Sequence, residues 1–292
     1  MEDLLMYTIL AVLGLMLGSF AGATVWRLRA RQLVEDKKDG EPVDKAEYKR
    51  LLPLTTTTTK ADRSRCLHCG HQLAWYDLLP LASWLGLKGK CRYCHKKIGW
   101  FEPLMELGLA AFFVGSYLLW PVALDGSLLV IQFLLWLIAG VMLTILFAYD
   151  LKWFLLPNQA MFPLIAVAAM VAIIELMTAP QIGAALISLI LSIAILSGLY
   201  LLLWVISKGQ WIGFGDVKLG LALALLLGNW QLAFIALFAA NLFGSLIVIP
   251  GMLAGKVTRA TRVPFGPLLI MGCVLAMLGG PMIVDWYFTL LV

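Results

Sequence analysis

The 292-residue sequence predicts an all-α polytopic membrane protein of about eight transmembrane helices, with a small cytoplasmic zinc-ribbon-like module between the first and second. Three observations predict it. Hydrophobic residues make up 62% of the chain and charged residues 13%, more apolar surface than a soluble domain of this length needs to bury. Apolar runs of about 20 residues recur, the length that crosses a hydrocarbon core. Cys66, Cys69, Cys91 and Cys94 form two C-x2-C pairs inside the long polar stretch that follows the first apolar run.

The elements follow in order. Residues 1–29 hold the first span, 4–28, with Glu2 and Asp3 before it and Arg27, Arg29 and Arg31 behind it. A secretory signal has the reverse asymmetry, so this is a retained helix with its N-terminus outside. Gly14, Gly18 and Gly22, four apart, suit close helix packing. Residues 30–65 are a charged insert, mobile or partly helical, that runs into a linker with five threonines, Thr55–Thr59. Residues 66–100 form the cysteine module, and 101–292 the main transmembrane domain. Its spans are 103–120, 128–149, 155–177, 182–206, 216–228, 231–254 and 265–291. The span 216–228 is short for a bilayer.

Charge orients the chain. Sixteen of the 22 Lys and Arg residues lie between Arg27 and Lys97, sharing that stretch with eight acidic residues. Such a mixture is no nucleic-acid arm, and no nucleic-acid partner is expected. With the N-terminus outside, alternation puts Lys152, Lys208, Lys256, Arg259 and Arg262 in inside loops as well, with Lys218 at the inner start of the sixth span. The outer loops carry no basic residue, as the positive-inside rule requires.

The cysteine spacing, two pairs separated by 21 residues, matches a tetrahedral four-thiolate zinc site; two disulfides are the alternative, which a reducing cytosol opposes. A closed site of this kind holds a fold together rather than catalysing. His68, His71 and His95 stand nearby but find the ligand shell complete. Cys273, inside the last span, reads as a small buried hydrophobe.

Asp216, in WIGFGDVKLG, sits in a GxGD motif with Gly213 and Gly215, and Asp150, in AYDLKWFLLPN, is its counterpart at the same inner face. Carboxylates on membrane helices are costly and are functional candidates. Two that share a proton can hydrolyse an amide: the ionised one takes a proton from water and the neutral one protonates the carbonyl oxygen. Pro157, Gly213, Gly215 and the segment Pro264-Phe265-Gly266-Pro267 suggest irregular backbone at that face, tolerated at membrane depth where it lines a cavity. Each aspartate has a plainer role open to it. Asp216 could be a helix N-cap and Asp150 an interfacial group beside Lys152. Lys218 either pairs with a carboxylate or extends to the interface. Glu106 is a further intramembrane carboxylate; Glu175 and Asp285 fall at the outer face. A cation-coupled transporter would spread polar groups through the spans' centres, which are nearly free of them, and an inert scaffold docked through the cysteine module is a third reading.

The residues together resemble the type IV prepilin peptidases. RSRCLHCGHQLAWYDLLPLASWLGLKGKCRYC is similar to the family's cytoplasmic cysteine-rich domain, Asp150 through Pro157 to its first aspartate motif, GFGDVKL to its second, and PFGP to a further pattern near the last span. The resemblance implies an aspartic endopeptidase of the bacterial inner membrane. It would cleave the basic leader of prepilins and pseudopilins after a glycine, on the cytosolic side, and methylate the new N-terminus from S-adenosylmethionine. Asp150 and Asp216 would be catalytic, with Gly213, Gly215, Lys218, Pro264 and Gly266 in support. Glu106 matches the glutamate of the family's P-L-x-E pattern, the candidate for methyl transfer. The sequence departs from the pattern at Gly22, where asparagine is usual, at Arg29, where proline is usual, and in its longer insert.

Overall fold

The computed structural model describes residues 2–55, 63–255 and 263–290, and every regular element among them is helical. Most of the threonine run, Lys60, and the cations Lys256, Arg259 and Arg262 lie outside the described residues. Among the described residues, seven helical segments are long and apolar enough to cross a membrane. The remaining expected span, the sixth in chain order, is a helix of 14 residues, about 21 Å at 1.5 Å per residue, well under the ~30 Å of a hydrocarbon core. Two compact units divide the chain, Met1–Gly115 and Ser116–Val292.

In the first unit, helix α1 (Glu2–Lys38) runs nine residues past the expected boundary at 29, into the charged insert. Ala30 and Leu33 explain why. They are buried with Leu51 from α2 (Lys45–Leu51), and Trp26, Val43 and Tyr48 pack around them. Apolar positions inside a charged stretch thus continue a helix out of the membrane span and fold the insert back along it. Arg29 and Glu47 pair across this contact at 2.7 Å, and Asp44 caps α2 by accepting from the N–H groups of Ala46 and Glu47. Further along, α3 (Ala82–Gly86) lies inside the cysteine module, and α4 (Phe101–Leu118) opens the second span. Gly14 and Gly18 face α4 backbone: a Cβ on either would come within 2.5 Å of the Cα of Ala110 or Glu106. Gly22 has only ordinary contact with Met105.

In the second unit, α5 (Ser127–Trp153) and α6 (Asn158–Thr178) are antiparallel neighbours. After them come α7 (Ile182–Ile193), a π-helical turn (Ala194–Gly198), α8 (Leu199–Ser207), α9 (Phe214–Leu227), α10 (Trp230–Leu253) and α11 (Phe265–Thr289). Small residues let these helices close on one another, as membrane helix packing requires. Gly272 of α11 abuts the Ala236 carbonyl of α10, and Gly220 of α9 abuts the Leu196 carbonyl in the π turn. Ser192 of α7 and Ser197 of the π turn donate to the carbonyls of Ala224 and Val217, locking both segments to α9. Large side chains such as Ile190, Leu202, Phe238 and Leu246 point outward and stay exposed, an apolar belt suited to lipid.

Candidate active site

Helix α5 ends abruptly, and that break builds one wall of the site. Phe154 takes the left-handed conformation (φ 55°, ψ 38°), and its N–H closes on the Asp150 carbonyl at 2.9 Å. Pro157 then forbids continuation, because the residue before a proline is held extended and proline carries no N–H. Leu155 and Leu156 therefore cross as open chain to Asn158, where α6 begins. Asp150 lies one turn before this break and is 5% exposed.

The carboxylate of Asp150 finds its partner in another helix. Gly266 N–H, in the first turn of α11, donates to Asp150 Oδ2 at 3.0 Å. The first N–H groups of a helix have no partner of their own, and the helix end carries partial positive charge. Asp150 thus satisfies α11 from outside, and α11 offsets the cost of burying Asp150. Pro264 is the N-cap of α11, its fixed φ of −66° starting the helix at that spot.

Asp216 is arranged in the same way. Gly213, not Asp216, is the N-cap of α9, and Asp216 lies in the first turn with its N–H on the Gly213 carbonyl at 3.1 Å. Its Oδ2 lies against Gly213, where a Cβ would sit 3.7 Å away. Leu156 ties the three segments together: it lies 3.2 Å from the Cβ position of Gly215 and 3.5 Å from that of Gly266. Asp150 and Asp216 are close enough for their charges to interact. Two carboxylates, each at the positive end of a different helix, therefore share one neighbourhood although 66 positions separate them in the chain.

Lys218 turns elsewhere. Its Nζ donates to Asn158 Oδ1 at 2.6 Å and lies 5.4 Å from the Phe214 ring and 5.6 Å from the Phe162 ring, pinning the start of α6 to α9. Sequence reasoning missed Leu156 and Asn158 as individual residues, though both stand in the LLPN run. It also missed Tyr200 of α8. That phenol is 3% exposed, its ring meets Phe265 edge-on at 5.5 Å, and it lies within the field of Asp216. A lone phenol in an aliphatic span was the available signal.

The first unit holds the other sequence candidates. The sulfur atoms of Cys66, Cys69, Cys91 and Cys94 all lie within 4.8 Å of one another, and Cys66 Sγ to Cys94 Sγ is 3.9 Å. A tetrahedron of sulfurs about 2.3 Å from a zinc has edges of about 3.8 Å, so this donor set fits a four-coordinate metal. The two cysteine loops are matched turns: Gly70 N–H bonds the Cys66 carbonyl and His95 N–H the Cys91 carbonyl, each at 2.9 Å. Asp77 braces the second loop, accepting from Arg92 Nε at 2.8 Å and from the Tyr93 hydroxyl at 3.1 Å. Burial works to raise the Asp77 carboxyl. The hydrogen bonds from Arg92, Ala74 N–H and Tyr93 outweigh it and hold the group below its usual range. His68 bonds the Lys97 carbonyl at 3.2 Å and His71 stacks on Tyr93 at 3.6 Å, so both pack the module.

Glu106 of α4 is 6% exposed and accepts the Leu81 N–H at 2.8 Å. Leu81 has φ 56°, and Ala82 N–H reaches the Pro80 carbonyl at 2.5 Å, a strained three-residue turn. The buried glutamate holds that turn of the cysteine module against the start of α4.

Comparison with known proteins now bears on these sites. The Bacterial Peptidase A24 N-terminal domain matches residues 12–120, and the Type IV leader peptidase family matches residues 137–249. The chain is 30% identical to the prepilin leader peptidase/N-methyltransferase of Aeromonas hydrophila, over 98% of this chain and 94% of that one. It is 28% identical to the protein of the same name from Stutzerimonas stutzeri, over 94% and 91%. With that of Bacillus subtilis (strain 168) it shares 29% identity, over 78% and 86%. No solved structure matches the chain. A polytopic helical fold, a four-cysteine module ahead of it, and near full-length similarity to these enzymes lead to one conclusion: the chain belongs to the type IV leader peptidase family.

Proposed function

We propose that this chain cleaves the basic leader of prepilins and pseudopilins, with Asp150 and Asp216 as its catalytic dyad. The single observation that carries the reading is the convergence around Leu156, with Gly215 on one side and Gly266, the donor to Asp150, on the other. The ionised carboxylate takes a proton from water, and the oxygen attacks the scissile carbonyl. The neutral carboxyl protonates the carbonyl oxygen; collapse then breaks the C–N bond and a proton passes to the departing amine. Gly213 and Gly215 let the α9 turn approach the acid and Leu156 closely. Pro264 and Gly266 start the helix that holds Asp150. Lys218 supports the site by clamping Asn158.

The site faces the cytosol in this proposal, with the N-terminus outside and the multi-pass chain in the bacterial inner membrane. The basic residues on the expected inner loops support that orientation. The cysteine module binds a structural Zn2+ through Cys66, Cys69, Cys91 and Cys94, and residues 101–292 form the peptidase domain. Glu106 would belong to the site for S-adenosylmethionine, which would supply the methyl group when bound, and the mass of the processed N-terminus reads methylation.

The test is cleavage of a purified prepilin by Asp150→Asn and Asp216→Asn, each confirmed as membrane-inserted. Both are expected to be inactive, because an amide can neither take the water proton nor donate as an acid. Cleavage by both variants would end the proposal.

A further inference from the structure

Tyr200 carries a buried donor whose partner no described residue supplies. Its side chain is 3% exposed, and its hydroxyl has no hydrogen bond among the described residues. A buried polar group left unpaired is destabilising, so few persist without a use. Its position is built rather than incidental. The π turn Ala194–Gly198 inserts one residue into the span just before α8, turning the face that Tyr200 presents. Ser197 locks that turn to the Val217 carbonyl, one residue after Asp216. On the far side, the Tyr200 ring rests on Phe265, the neighbour of the glycine that holds Asp150. The phenol therefore stands between the starts of α9 and α11, the two helix ends that carry the acids.

We propose that Tyr200 is a further catalytic residue, whose hydroxyl donates a hydrogen bond to the scissile carbonyl oxygen as that oxygen becomes tetrahedral. The inference rests on the Asp150–Asp216 reading and adds a third group to it. In the free enzyme the donor finds no acceptor among the described residues. The substrate carbonyl, entering between the acids, brings one, and the bond strengthens as negative charge develops on oxygen.

The experiment compares the full-length enzyme with Tyr200→Phe, using a purified prepilin in detergent micelles. Asp150→Asn and Asp216→Asn are run beside it. Loss of one donor to a developing oxyanion lowers kcat on the order of 10²-fold, with KM within about twofold of wild type. Phenylalanine fills the same space and removes only an unpaired group, so the melting temperature is expected to be no lower. A Tyr200→Phe enzyme with wild-type kcat, while both asparagine variants are inactive, overturns the role of Tyr200 and leaves the dyad standing. A lower melting temperature in step with the lost activity also overturns it, because the hydroxyl would then be structural. Cleavage by both asparagine variants removes the dyad and this inference together.

Discussion

Gly266 is the position where the smallest change should have the clearest effect. A Cβ added there lies 2.7 Å from Asp150 Oδ2, 3.3 Å from its Cγ and 3.5 Å from Leu156 Cδ2. Non-bonded heavy atoms settle at roughly 3.5–4.0 Å, so in Gly266→Ala the carboxylate must withdraw by about 0.5–1 Å. It is held by the N–H of Gly266 itself at 3.0 Å, so withdrawal stretches the bond that fixes it. A hydrogen bond to a charged group contributes about 1.5–3 kcal/mol, which corresponds to about 10–100-fold in rate. Misplacing a reacting group by ~1 Å costs about the same. Gly266→Ala should therefore lower kcat for prepilin cleavage about 10–100-fold with little change in KM. Stability should fall by no more than about 0.5–2.5 kcal/mol, since alanine's better helix propensity, roughly 0.5–1 kcal/mol, offsets part of that hydrogen bond. Steady-state cleavage and a thermal melt read the two effects separately. A folded Gly266→Ala enzyme with wild-type kcat would refute the claim that this N–H positions Asp150.

Two further outcomes concern the cysteine module. Purified protein should contain about one metal ion per chain, and Cys66→Ser should lower that content, as read by elemental analysis. Asp77 titrates below its usual range in the folded module, so the stability it contributes is complete above the unfolded carboxylate value of 3.8 and is lost as pH falls through the lowered one. The melting-temperature gap between wild type and Asp77→Asn should be widest near neutral pH and should narrow in acid below that value; a gap independent of pH would count against the Arg92–Asp77–Tyr93 link.

Much of this was legible in the sequence because it rests on chemistry that a membrane makes rare. Apolar runs locate spans, and a carboxylate among them stands out, as Asp150 and Asp216 do. Paired cysteines at fixed spacing announce a shared ligand shell. The extension of α1 was hidden because Ala30 and Leu33 are weak signals amid charged neighbours, and their burial depends on Leu51 folding back. Leu156 looked like any aliphatic residue; only the fold puts two glycines against it. Tyr200 was hidden for a different reason. The π turn changes which face a residue presents, and no periodicity in the run before it signals the extra residue.

The shortness of α9 has a consequence for the substrate. A helix of 14 residues leaves about 9 Å of the hydrocarbon thickness uncovered along its own axis. A segment that arrives as a regular lipid-embedded helix keeps its amides paired and presents no strand to cut. Where a neighbouring wall stops early and polar groups begin, the visitor can fray and hydrate locally, and only frayed backbone can be hydrolysed. The truncated wall would thereby select for chains that loosen easily at that depth, before any side chain is read.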